Sequence, residues 1–577
     1  MNINILLFKD IVIFSELFLG ISIIYLVIHC TFLAVQKKYP LIQNSVIYLS
    51  VLSLLFSVYL ILNEHLTVLE VSSLNNTFLL DYTGFFSKII IGCLSLFCLI
   101  MMQPYIINQK INNFEYFLLI LFSVLGLFLL CSSNDFLTSY LAIELQSLSF
   151  YVLSAFKKNS TFSVEAGIKY FVLGAFSSSM FLFGSSLLYG FTGTIYFTEF
   201  STLFFNEVPG NDILLNPYYY NDMFNTSVGE MKWSVYSQKY FGFFIEEKDF
   251  AEAITNLVAF DKEILPTMCF LKALGSTGEM AYLSPNTDNL FDTNLIKFAL
   301  IFIFIGLFFK LTAAPFHIWA PDVYEGSPSS STFFFSVVPK LAIFVLLLRI
   351  FYNSFYGFVD SWRYFIVLII ISSIVVGSFG GLEQRKLKSL LVYSTISHMG
   401  YSLIAFSAGT FESLQMLISY LVVYSFSGLC VWSIFLVMRL KNNYYQKQNK
   451  DLTDLVLLSK SNPMVAVFFT TVLFSLAGFP PMIGFLVKLG VFTTAIESSM
   501  YFVALISILC SVVGTFYYIR LIKILYFEKS LTGKLYYPIT TQSSIMITFL
   551  FYLLLFTFIN PTLLFLLSYK FSLLVFF

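Results

Sequence analysis

Charge is scarce in this sequence: Asp, Glu, Lys and Arg together make up 11% of 577 residues, against about 25% in soluble domains. Such a chain cannot cover a surface that faces water. The 32 basic and 32 acidic residues cancel, so no basic excess marks it for nucleic acid. Its seven cysteines, at positions 30, 93, 98, 131, 269, 430 and 510, form no C-x-x-C pair, which argues against a disulfide framework, a zinc site or an iron–sulfur cluster. The four histidines follow no metal-ligand spacing, so redox chemistry is expected to lie in other chains. Gly (28) and Pro (15) are sparse, while Phe (70) and Tyr (36) abound, a skew that A+T-rich organelle genomes produce. No cleavable signal peptide is expected, because the first apolar span is long and lacks a small-residue cleavage site.

What remains is apolar: 58% of residues are hydrophobic and the mean hydropathy is +0.84. Continuous rather than alternating apolar runs exclude a membrane barrel and predict an all-α polytopic membrane protein. Fourteen spans are expected near 14–35, 42–62, 84–104, 114–131, 136–156, 165–192, 295–320, 329–352, 361–382, 388–408, 412–439, 463–494, 499–526 and 543–572, the last broken by Pro561. Lys37, Lys38, Lys110, Lys157, Lys158, Arg385, Lys386, Lys388, Arg439, Lys441, Lys447, Lys450, Lys529 and Lys534 all fall in odd-numbered connections. The positive-inside rule therefore turns those loops to the cytoplasm or matrix and both termini outward. One polar stretch, 196–293, interrupts the pattern, with fourteen acidic residues and five lysines between Glu199 and Asp292. Phe250, Ile254, Leu257 and Val258 have helical spacing there, so this outer insert is expected to hold an amphipathic helix. It is either an extension or a docking surface for an unknown partner.

Four charges lie near mid-span: Glu144, Lys310, Lys340 and Lys488. A charge at a helix centre costs about 2.5–3.5 kcal/mol on insertion scales. Structural ion pairs are one explanation; a set of one Glu and three Lys favours proton handling, since burial and a neighbouring carboxylate shift a lysine's proton affinity in opposite senses. Lys88, Lys169 and Arg520 lie nearer span ends, where long side chains can snorkel, and Glu165 with Lys169 has the i, i+4 spacing of a helix pair. Helix breakers accompany two of the lysines: Pro315 follows Lys310, and Gly478, Pro480 and Pro481 precede Lys488. Proline inside a span frees backbone groups that must be buried in protein or line a wet cavity. Paired interrupted spans point to an inverted-repeat transporter. His317 and His398 lie between these elements and could relay a proton or be ordinary core histidines.

The stretch Lys310–Gly326, KLTAAPFHIWAPDVYEG, resembles the signature of the antiporter-like membrane subunits of respiratory complex I, NADH:ubiquinone oxidoreductase. Val164–Gly174, Ser394–Tyr401, Leu476–Lys488 and Phe516–Arg520 match the same family in the same order, covering roughly 135–195 and 295–530. Lys488 (where subunit 4 types carry glutamate), the turn Asp322–Gly326 and the lack of a long lateral helix look most like the subunit 2 type. The large insert departs from the compact family pattern, and the first three spans carry no matching motif.

The resemblance implies antiporter-like inverted repeats with two discontinuous helices. Glu144 and Lys310 would be the charge pair of a first half-channel, Lys340 the central relay and Lys488 the terminal lysine of the second half. His317 and His398 match positions on the polar axis between them. It further implies 1–110 as amino-terminal helices, 111–195 and 294–352 as the first antiporter-like half around the insert, 353–530 as the second half and 531–577 as a terminal segment. FMN, iron–sulfur clusters and ubiquinone would belong to other subunits, with no cofactor in this chain. Partners would be other membrane-arm subunits, including neighbouring antiporter-like ones, and lipids, in the mitochondrial inner membrane. Alternatives are a subunit of a multisubunit sodium/proton antiporter, a subunit 4 or 5 type, a structural subunit with residual ion pairs, and a solute carrier with an external loop.

Overall fold

A bilayer offers no water to unpaired backbone groups, so apolar runs of about twenty residues close their hydrogen bonds internally as helices. The computed structural model describes residues 13–35, 39–63, 71–109, 113–204, 293–441, 446–448, 451–456, 458–528, 536 and 538–576. The helix expected near Phe250–Val258, and Cys269, lie outside them. Six long helices come first: α1 (Phe14–Val35), α2 (Tyr39–Asn63), α3 (Tyr82–Asn108), α4 (Glu115–Ser132), α5 (Phe136–Ser154) and α6 (Thr161–Thr192). A short antiparallel pair, β1 (Val71–Ser73) and β2 (Phe78–Leu80), precedes α3. Polar side chains start the later helices: Asp81 Oδ1 accepts from Gly84 N at 3.0 Å, Asp135 Oδ1 from Thr138 N at 2.7 Å and Ser160 Oγ from Ser163 N at 3.1 Å. Such caps satisfy donors that a helix start leaves unpaired.

The insert begins later than the sequence suggests. Its first residues form α7 (Phe197–Leu203), whose Phe197 and Phe200 bury against Phe136, so the core continues to Phe204 and resumes at Thr293. There follow α8 (Thr293–Leu311), α9 (Trp319–Gly326), α10 (Ser329–Leu348), α11 (Val359–Leu382), α12 (Leu387–Ala408) and α13 (Phe411–Val437). Beyond the small β3–β4 pair (Arg439–Lys441, Gln446–Gln448) come α14 (Leu458–Ser461), α15 (Pro463–Ala477), α16 (Ile483–Glu497), α17 (Tyr501–Tyr526), α18 (Thr541–Ile559) and α19 (Thr562–Phe576). Twelve of the described helices are individually long and apolar enough to cross a membrane. With α12 and the α15–α16 pair these make fourteen crossings. The expected last span is two helices, since Pro561 follows Asn560 at the end of α18 and α19 continues separately. α19 lies along α13, where Gln415 Nε2 donates to Phe565 O at 3.2 Å and Tyr569 meets Phe411 edge-on.

Two runs of five crossings repeat the same order, α4, α5, α6, α8–α9, α10 and then α11, α12, α13, α15–α16, α17. In both runs the fourth crossing is broken. Because five is odd, the second run threads the bundle in the opposite sense, which is the inverted repeat. Burial separates the elements: every residue of α10 from Ser329 to Leu348 is buried inside the protein, whereas only 22% of the most apolar stretch of α18 and 28% of that of α1 are. The helix carrying Lys340 is thus the axis of the bundle.

Candidate functional site

The two breaks are built differently. α8 ends at Leu311, and Thr312 takes a left-handed φ of 63° before a cis Ala314–Pro315 bond. Carbonyls freed there find protein donors: Trp319 Nε1 donates to Phe309 O at 3.1 Å, and Ser372 Oγ to Ala314 O at 2.8 Å. Lys310 is therefore not needed as a cap. Its Nζ is buried without a hydrogen-bond partner among the described residues and lies 5.8 Å from the centre of the Tyr151 ring. His317 Nδ1, on the same break, is likewise buried and unpartnered. Glu144 lies on a flank of α5 shared with Leu137, Leu141, Leu148 and Val152, each more than half exposed. Ser147 Oγ donates to its Oε2 at 3.3 Å. Among the described residues no ion pair joins Glu144 to Lys310; the helices that carry them, α5 and α8, both pack against α6.

At the second break, Gly478 ends α15 with φ of 83°, and the chain passes a cis Pro480–Pro481 bond into α16. Lys488 Nζ reaches back to donate to Leu476 O at 2.7 Å and Ala477 O at 2.9 Å. A cation at a helix carboxyl end is favoured by the helix dipole as well. Only glycine fits at 478, since a Cβ would stand 2.9 Å from Lys488 Cδ in a left-handed backbone.

Between α10 and this lysine runs a chain of phenols and one imidazole. Lys340 Nζ, 2% exposed as a residue, donates to Tyr424 OH at 3.1 Å. The Tyr424 ring lies 5.3 Å from the His398 ring. His398 bonds at both nitrogens, Nδ1 to Tyr420 OH at 2.6 Å and Nε2 to Tyr518 OH at 3.2 Å. Lys488 Nζ in turn lies 5.3 Å from the Tyr401 ring centre. A cavity of about 10 Å³, enough for the centre of one water, touches Ser397, His398, Tyr401, Lys488 and Tyr518. The structure thus gathers Lys340, His398 and Lys488 into one network, while Glu144, Lys310 and His317 lie on the other half.

Tyr420, Tyr424 and Tyr518 were not singled out by the sequence reading. Tyr401 and Tyr518 do fall within its family-like motifs, but Tyr420 and Tyr424 carry no comparable signal. Lys88 also differs from expectation. It does not snorkel: it is buried against Glu16 at 2.5 Å, where α1 packs beside α2 and α4 and α2 lies against α3. Glu165 and Lys169 pair at 2.8 Å as their spacing predicts, and Asp322 joins them at 2.7 Å.

The NADH:quinone oxidoreductase/Mrp antiporter transmembrane family matches residues 133–220 and 254–514. NADH-ubiquinone oxidoreductase chain 2 of Marchantia polymorpha is 34% identical over 564 residues, 97% of each chain. NADH-quinone oxidoreductase subunit N of Pelagibacter ubique is 34% identical over 90% of this chain and 89% of its own length. Among solved structures, a chain of respiratory complex I from Thermus thermophilus superposes with a TM-score of 0.67 at 22% identity, covering 96% of this chain and 98% of that one.

Proposed function

The chain belongs to the NADH:quinone oxidoreductase/Mrp antiporter family of membrane subunits, and from that premise we propose that it translocates protons as the chain 2 subunit of respiratory complex I, NADH:ubiquinone oxidoreductase. The observation that carries this reading is His398, hydrogen-bonded at both nitrogens to phenols midway between two buried lysines. A neutral imidazole has one N–H and one lone pair, so a proton taken at one nitrogen releases another from the opposite one. Lys340 exchanges its proton with Tyr424, and His398 passes charge between the Tyr420 and Tyr518 hydroxyls. Lys488 is the far station, its ammonium held by the carbonyl end of α15. Lys310 Nζ and His317 Nδ1 are buried without hydrogen-bond partners among the described residues, positions suited to water. With Glu144 on the flank they form the uptake half.

NADH oxidation and quinone reduction would occur in other subunits, where FMN, iron–sulfur clusters and ubiquinone bind. Among the described residues no group of three or more His, Cys, Asp or Glu is placed to hold a metal. The matching length of the Marchantia chain supports a mitochondrial inner membrane, with the basic connections on the matrix side and other membrane-arm subunits as neighbours. Lys310→Met and Lys340→Met test the reading in membrane vesicles driven by NADH. Assembled complexes should keep quinone reduction while pumping fewer protons per electron. Wild-type yield in both variants would overturn the relay, and cation exchange by the isolated chain without NADH would favour a free-standing antiporter.

A further inference from the structure

Two ion pairs, one fully buried and one partly buried, lie outside the relay, at the end of the bundle opposite the basic connections. Glu16, in the first turn of α1, meets Lys88 of α3 at 2.5 Å, with the two side chains 2% and 1% exposed. Ser15 Oγ donates to Glu16 Oε2 at 2.7 Å, and Ser132 Oγ lies 3.5 Å from Oε1. The second pair joins Asp81 to Arg349 Nη2, while Arg349 Nη1 donates to Ser133 O at 2.8 Å. Asp81 is also the cap of α3, accepting from Thr83 Oγ1 at 2.7 Å. Room is made for these charges at residue 84, where a Cβ would stand 2.8 Å from Asp81 Oδ1 and 3.0 Å from Arg349 Nη2.

Arg349 opens the π-helical turn Arg349–Ser354 that continues α10. It follows Lys340 by nine residues on one helix (349 − 340), about 14 Å at 1.5 Å per residue. The charges therefore tie α1, α3 and the α4–α5 link to the end of the helix that bears the central lysine. Glu16, Asp81 and Lys88 precede residue 133, where the family match begins.

We propose that the Glu16–Lys88 and Asp81–Arg349 pairs position α10, and with it Lys340 against Tyr424, for proton translocation. This rests on Lys340 acting as a relay. Fastening alone would not call for charges: well-packed apolar residues of similar volume join buried surfaces without desolvating ions. Charge-assisted hydrogen bonds fix direction as well as proximity. A cavity of about 10 Å³ beside Arg349, lined by Thr83, Leu348, Asn353 and Phe571 among others, leaves the guanidinium space to shift when its neighbours change. The amino-terminal helices become part of the pumping machinery on this view.

The test uses the whole complex in native membranes. The neutral double variant Glu16→Gln/Lys88→Met should assemble and reduce quinone at the wild-type rate, with protons per electron lowered at least twofold. The exchanged pair Glu16→Lys/Lys88→Glu should restore most of that yield. Wild-type yield in the neutral variant would overturn the proposal, as would equal losses in both variants. Failure of the neutral variant to assemble, with or without the exchanged one, would make the pair a folding element and overturn it too. Lys340→Met, run alongside, separates the two ideas: wild-type pumping there removes the relay itself, whatever the ion pairs do.

Discussion

At the scale of single residues, the site depends on hydroxyls as much as on charges. Tyr424→Phe removes the hydroxyl to which Lys340 donates. A hydrogen bond to a buried charge contributes about 1.5–3 kcal/mol, so proton transfer through this step should slow about tenfold or more while the fold persists. Proton yield per electron in NADH-driven vesicles checks it, and unchanged yield would exclude Tyr424 from the path. Lys488→Met leaves Leu476 O and Ala477 O without their donor, at a cost of about 1–3 kcal/mol for each buried carbonyl. The variant should lower both pumping and the temperature at which the complex inactivates. The lysines were legible in the sequence because a charge inside an apolar run stands out. The tyrosines were not: they resemble any of 36 such residues, and only packing decides which hydroxyls meet. Glu16 and Lys88 were hidden for a related reason, each lying near a span end where a charge is cheap.

At the scale of elements, the two breaks do unequal work. The first is sealed by protein donors, so Trp319→Phe, which removes one of the two N–H groups bonded to Phe309 O and leaves that of Thr312 at 3.1 Å, should destabilise the complex by about 0.5–1.5 kcal/mol. Heat inactivation of isolated membranes measures that. Full stability would mean that the Thr312 N–H alone satisfies Phe309 O. The second break is sealed by Lys488, so on the proposed relay structure and proton chemistry are coupled there. Pro315, Pro480 and Pro481 revealed both breaks in advance because proline cannot donate to a helix ladder. Which group would cap each break was not legible, since the caps come from residues as distant as Ser372. The π-helical turn after Leu348 left no mark in the sequence either, whereas the break of the final span at Asn560–Pro561 was announced by its proline.

At the scale of the molecule, hydropathy was enough to count the crossings, because the bilayer imposes one length on all of them. The alternation of basic loops predicts sidedness. A cysteine replacing Lys158, after α5, should react with an impermeant thiol reagent from the side opposite to one replacing Glu497, after α16. Labelling of both from one side would overturn the threading. What hydropathy could not reveal is which helix stands at the centre, since α10 and α18 are similarly apolar yet wholly and barely buried. Centrality belongs to the order of assembly, not to composition.

Because α10 is buried along its whole length, Lys340 is surrounded by other helices and not by lipid. Longer acyl chains, a stiffer bilayer or different headgroups alter what surrounds α1, α18 and the flank of Glu144, and leave the central lysine's surroundings as they were. An organism can thus remodel its lipids with temperature or growth phase while the centre of the bundle keeps a constant chemistry.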